Sequence, residues 1–133
     1  MGNFSFKQSA QNATQLCALM AGREKMDTES VINAGDLTII KFDFAPKFDQ
    51  NGSPVIDQNG EQDTFGVVVF EEYPDCYYSV GTVFTKVCHA WADQFGGSAE
   101  AASIELEKSG GVKVRFSAGK TKKGNNLVNV EIL

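Results

Sequence analysis

The segment Gly111–Ala118, GVKVRFSA, alternates apolar and polar side chains, and Leu127–Leu133, LVNVEIL, does the same. A period of two is the signature of a strand with one buried face. It puts Val112, Val114 and Phe116 on one side and Lys113, Arg115 and Ser117 on the other, with Val128, Val130 and Ile132 matching the apolar side. The intervening GKTKKGNN is basic and rich in turn residues, so the two strands read as a hairpin. Gly119-Lys120-Thr121 within it invites comparison with a phosphate-binding loop. Such a loop needs a glycine six residues before its lysine and a helix after it. Here the first position is Val114 and the second is a strand, so that reading fails.

The rest of the chain is read by the same periodicity. Ala13, Leu16, Cys17 and Met20 lie at helical spacing within residues 8–22, and Gly22 can end that helix. A polar connection then runs to Gly35. LTIIKFDFAPKF, residues 37–48, sets Ile40, Phe42, Phe44 and Phe48 against Lys41, Asp43 and Lys47, with Pro46 marking an edge, bulge or end. DQNGSPVIDQNG carries two Asn-Gly pairs and reads as a long, twisted hairpin loop. TFGVVVFEE is a second strand and CYYSV a third, separated by a turn at Tyr73-Pro74-Asp75. Thr82–Phe95 is a helix with Phe84, Val87, Cys88, Trp91 and Phe95 on one stripe, stopped by Gly96-Gly97. A stretch of no clear pattern precedes the closing hairpin. Three strands, a helix and two strands is the order of the OB-fold, a five-stranded Greek-key barrel. The expectation is a mainly β protein with that barrel over residues 35–133, a helix between its third and fourth strands, and an N-terminal helical extension over 1–34.

With 133 residues the chain suits one domain, and 42% hydrophobic with 22% charged residues is ordinary for a soluble fold. No apolar run reaches the roughly 20 residues of a membrane span. No charged segment followed by an apolar core opens the sequence, so no secretory signal is read. Met-Gly at the start lacks the serine or threonine spacing of a myristoylation site, Ser5 coming one place early. Cys17, Cys76 and Cys88 are odd in number and widely spaced, which gives no disulfide framework and fits a reducing, cytoplasmic compartment. The net charge of −5 argues by itself against a nucleic-acid partner. Its distribution argues otherwise. Seven acids and no base lie between Phe48 and Thr85, whereas six bases and no acid lie between Lys108 and Lys123.

Catalytic and metal chemistry find little support. Cys88 and His89 are neighbours on a helix, about 100° apart, and cannot form a nucleophile–base pair. Cys88 belongs to the apolar stripe; His89 is expected to pair with Asp93 at the surface. A zinc site would need Cys17, Cys76, Cys88 and His89 to converge without any C-x-x-C spacing. Asp57, Asn59, Glu61 and Asp63 alternate as calcium ligands can, but Gly60 and Val68 stand where a calcium-binding hand would not have them. A nuclease pattern built on Pro74-Asp75 and IELEK has Leu106 where an acid should be. No enzymatic activity and no cofactor are expected.

LTIIKFDFAPKF, DTFGVVVF, YYSVGTVFTKVCHAWADQF and VKVRFSAGKTKKGNNLVNVEI resemble, in order, the strands, helix and final hairpin of the OB-fold single-stranded DNA-binding proteins of bacteriophages. The resemblance runs from about Gly35 onward. It implies a non-enzymatic protein that coats single-stranded DNA, with little sequence preference, during phage replication or recombination in the host cytoplasm. Such binding needs a cationic track for the phosphates and aromatic faces for the bases. Lys41, Lys47, Lys113, Arg115, Lys120, Lys122 and Lys123 are candidates for the track. Phe48, Tyr73, Tyr77 and Tyr78 are candidates for the faces, at most one of Tyr77 and Tyr78 being free to stack because they point to opposite sides of their strand. Trp91 is assigned to the core. Other replication proteins are a further partner class, reached in many such binders through a flexible acidic tail; VNVEIL is a strand and departs from that pattern. No membrane partner is expected. The rival readings are an OB-like module for protein or oligosaccharide, a β-rich virion protein, and, last, an enzyme with an unrecognised site.

Overall fold

The computed structural model describes residues 17–120, 122–124 and 126–133. The helix expected over residues 8–22 falls largely outside them; its described end, Ala18–Met20, is one 3-10 turn. The elements are β1 (Glu24–Lys25), α1 (Thr28–Asn33), β2 (Asp36–Pro46), β3 (Thr64–Phe70), β4 (Tyr73–Ser79), α2 (Thr82–Asp93), α3 (Ala99–Lys108), β5 (Val112–Lys120) and β6 (Asn126–Ile132).

The strands make one mixed, open sheet in the order β1-β4-β3-β2-β5-β6. Every ladder is antiparallel except β1 on β4, where Glu24 faces Cys76 and Lys25 faces Tyr77. β2, β3 and β4 follow one another, and β5 returns through two helices to lie beside β2, which is a Greek key. Five strands were expected; the sixth is β1. Residues 17–34 are therefore no separate extension. Besides β1 they supply Val31, fully buried, and Met26 to the main core. Among the described residues no ladder joins β6 to β4 or β1.

The sheet nevertheless coils. Strands sit about 4.8 Å apart, so β4 and β5, three steps apart, would lie roughly 14 Å from each other in a flat sheet. Instead the rings of Tyr78 on β4 and Phe116 on β5 meet edge to face at 5.3 Å, and Phe70 on β3 touches both, at 6.4 and 5.8 Å. Around this aromatic contact gather Leu37, Ile39, Phe42, Val68, Val114 and Phe84, all buried.

A bulge in β2 decides which residues join that core. Ile39 faces Phe70, yet Lys41, two residues on, faces the adjacent Val69, so the alternation slips by one at Ile40. Leu37 and Ile39 are buried before the slip and Phe42 after it, while Ile40 is only half-buried. The uninterrupted alternation expected through Ile40, Phe42 and Phe44 breaks here.

Two helices cover the concave face. α2 crosses β3 at Gly66, where an added Cβ would sit 2.8 Å from Val80 Cγ2 and 3.2 Å from Cys88 Sγ. The absent side chain permits this approach, and Gly66 N–H donates to Thr85 Oγ1 at 2.9 Å. α3 occupies the stretch that showed no pattern in the sequence. Ser98 caps it by accepting from Ala101 N–H at 3.1 Å, and it buries Ala99 and Ala102. β5 pairs with β2 only from Asp36 to Ile39, which leaves the later β2 backbone open on that side. Ser103 of α3 closes it: its hydroxyl accepts from Phe42 N–H and donates to Phe42 C=O, both at 3.0 Å. On the opposite face a smaller cluster joins Cys17, Ala45 and Val67 to Leu19, Met20, Phe65 and Tyr77.

The turn expected at Tyr73-Pro74-Asp75 is instead at Glu71-Glu72, and those three residues belong to β4. The Glu72 carboxylate accepts from Thr38 N–H at 2.8 Å and Thr38 Oγ1 at 2.9 Å, which ties the turn to β2. The doubled DQNG motif makes two equivalent turns. Asp49 Oδ1 accepts from Asn51 and Ser53 amides, and Asp57 Oδ1 accepts from Asn59 and Glu61 amides in the same way.

Candidate nucleic-acid interface

β5 and β6 continue beyond the sheet. The β2 ladder ends at the Asp36–Arg115 pair, but β5 and β6 remain paired as far as Lys120 and Asn126. The result is a two-stranded arm with α1 packed beside β5. Its turn is made by Lys122, Lys123 and Gly124, the last at φ 82°, a left-handed conformation open to glycine. Lys120, Lys122 and Lys123 are all exposed. Among the described residues no carboxylate lies within ion-pair distance of these three or of Lys113.

The other expected cations are differently placed. Lys41 Nζ lies 3.7 Å from Glu107 of α3, and Lys47 Nζ lies 3.7 Å from Asp63. Arg115 is held more firmly: Nη2 is 2.6 Å and Nε 2.7 Å from Asp36 Oδ1, its facing residue on β2. On its other side β6 places Glu131 directly opposite. Arg115 thus stands between two acids, a detail the charge count of the sequence could not show. The hairpin register alone was enough to find Glu131.

The aromatic candidates separate by burial. Tyr78 is 5% exposed, packed on Phe70 and Phe116, with its hydroxyl 3.3 Å from Thr28 Oγ1. It has no ring face to offer a base and leaves the set; the coiling of the sheet that buries it is a long-range effect. Tyr77 is half-buried in the second cluster beside Ala45 and Val67. Phe48 is half-buried in the β2–β3 connection, where it bridges to Pro54. Tyr73, at the start of β4, is 42% exposed. Phe95, two residues past α2 and 40% exposed, lies on the stripe read from the sequence and joins Tyr73 as an accessible ring.

Cys88 and His89 are engaged separately. Cys88 is fully buried, and burial pushes its thiol up to about 12, far from the thiolate a nucleophile needs. His89 stacks on Phe44 with ring centroids 4.1 Å apart and planes 13° from parallel. The surface pair expected with Asp93 is absent among the described residues. Trp91 packs edge to face on Phe42 and Phe84, at 5.5 and 5.7 Å. No helix among the described residues is long and apolar enough to cross a membrane. No family model, curated protein or solved structure matches the chain.

Proposed function

We propose that the protein is a non-enzymatic, largely sequence-independent binder of single-stranded DNA, acting in phage replication or recombination, and that its coiled Greek-key sheet is an OB-type barrel left open between β4 and β6. The observation that carries this reading is the arm: three exposed lysines at its tip with no carboxylate in reach among the described residues. A projecting cationic tip suits a flexible phosphate chain, and base stacking falls to accessible rings such as Tyr73. Paired cations such as Arg115 would have to give up Asp36 before serving a phosphate.

The test is a titration with labelled single-stranded and duplex oligonucleotides at several salt concentrations. Single strands are expected to bind more tightly, with affinity falling as salt rises. Replacing Lys120, Lys122 and Lys123 together by alanine should weaken binding and flatten the salt slope by up to about two units, at about 0.7 per lost contact. Thermal stability should hardly move, since exposed charges contribute little to folding. Duplex preference, or a triple variant that titrates like the parent chain, overturns the proposal.

A further inference from the structure

Among the described residues β6 is an edge of the sheet with its outer side unpaired. Leu133 N–H donates to Lys113 C=O at 2.9 Å, and the register continues through Val114–Ile132 to Lys120–Asn126 without a slip. In an antiparallel ladder bonding residues alternate. Leu127, Asn129, Glu131 and Leu133 therefore bond toward β5, and Val128, Val130 and Ile132 direct their N–H and C=O groups to the open side. Among the described residues nothing bonds to these groups. Proteins usually guard such an edge with lysine, proline, a bulge or a cover. β6 has none of them and carries one charge, Glu131. Beside it runs an open groove of about 550 Å³, between β6 and the start of α2. Its apolar walls include Val83, 74% exposed, Ile132, 55% exposed, and Leu127, 37% exposed, while Leu133 stands exposed just past β6.

We infer that this edge pairs with β6 of a second copy of the chain, antiparallel, with Val130 facing Val130 across the two-fold axis. The side-chain pattern of β6 is self-complementary about that residue. Val128 then faces Ile132, Leu127 faces Leu133, and Asn129 faces Glu131, whose carboxylate can accept from the amide. The neighbouring registers that keep the open N–H and C=O groups facing are poorer. Centring on Asn129 sets Leu127 against Glu131, and the shift by two residues in the other direction sets Glu131 against Glu131, a like-charge pair. The centred register also lets the Val130–Val130 pair and the two Val128–Ile132 pairs each form both hydrogen bonds, and it joins two open sheets into one. The inference does not depend on the DNA reading, because the association is measured with no nucleic acid present.

Sedimentation velocity over a wide concentration range should show a monomer–dimer equilibrium. Val130→Pro should raise the dimer dissociation constant at least about tenfold, the loss expected from one hydrogen-bonded pair. Its N–H faces outward, so the β5 ladder and the melting temperature are expected to survive. If that variant does not fold, Val130→Cys decides. Residue 130 opposes its own copy at about 5.5 Å between Cα atoms, within the range of about 4.4–6.8 Å for a disulfide. Oxidation should therefore link Val130→Cys chains into dimers and leave Leu127→Cys chains, which face residue 133, unlinked like the parent chain. A monomer at every concentration, a dimer indifferent to a folded Val130→Pro, or equal linking of both cysteine variants overturns the inference.

Discussion

Tyr78→Ala separates a base platform from a structural hub. The ring is 5% exposed and contacts Phe70 on the adjacent strand and Phe116 on a strand three steps away, so its removal empties the point where the sheet coils back on itself. Truncating a buried aromatic costs about 3–5 kcal/mol. For a domain of this size that corresponds to a melting temperature lower by on the order of 10–20 °C. Tyr78→Phe keeps the ring and loses one long contact, Tyr78 Oη to Thr28 Oγ1 at 3.3 Å, so it should cost no more than about 1 kcal/mol. Urea denaturation of the three proteins, followed by the tryptophan signal, gives both differences directly. Single-strand titration of the folded fraction completes the test. A stacking tyrosine would show the opposite pattern, with stability kept and about 1–3 kcal/mol of binding lost on truncation. An unchanged denaturation midpoint for Tyr78→Ala would refute the burial argument.

Gly66→Ala should cost about 1–3 kcal/mol, because its Cβ would press on Val80 and on Cys88 of α2; calorimetry measures it, and a neutral variant would show that α2 can shift away. Cys88→Ala probes the buried thiol through pH. Burial raises the folded-state pKa from 9.0 to about 12, so stability is complete below pH 9 and declines as pH rises to about 12, by about 1.4 kcal/mol per unit. The stability difference between the parent chain and Cys88→Ala should shift by that slope over this window, against the parent, and a flat difference contradicts the burial. Arg115→Ala should alter single-strand affinity far less than the triple lysine variant, because Asp36 and Glu131 already offset its charge. An equal loss from both would return Arg115 to the binding track.

Periodicity of two made the final hairpin legible, although β5 runs on to Lys120, two residues past GVKVRFSA, and the apolar stripe along Thr82–Phe95 did the same for α2, which ends at Asp93. These are local signals. What escaped depends on partners far away in the chain. α3 reads poorly because its buried side is only Ala99 and Ala102, so IELEK shows no apolar stripe, and the Ser98 cap is its one clear mark. Pro74 suggested a turn but sits in β4, whose neighbour on that side among the described residues is the two-residue β1. The bulge at Ile40 and the burial of Tyr78 arise from sheet coiling, which no single strand encodes. For the site, exposure of the tip lysines could be read from the turn they occupy. The Arg115–Asp36 pair joins residues 79 apart and could not be read until β2 was known to lie beside β5.

Charge placement, more than total charge, decides what an anionic strand would meet. Lys41 with Glu107 and Lys47 with Asp63 each sum to zero over 3.7 Å, well inside the Debye length of about 10 Å at 0.1 M salt. The row Glu131–Arg115–Asp36 spans two strand spacings, about 10 Å, and sums to one negative charge. These three candidates therefore add no positive field of their own. Lys113 has no carboxylate within ion-pair distance among the described residues, but it lies seven residues before Lys120, about 24 Å along an extended strand, so salt isolates it from the tip. Among the seven candidate cations, Lys120, Lys122 and Lys123 form the cluster. All seven candidate cations engaged together would give a salt slope near −5, at about 0.7 per contact, whereas the tip alone, or the tip with Lys113, gives about −2 to −3. A negatively charged protein with a shallow slope and a single short cationic arm is the electrostatic pattern that this fold imposes on the binding reading.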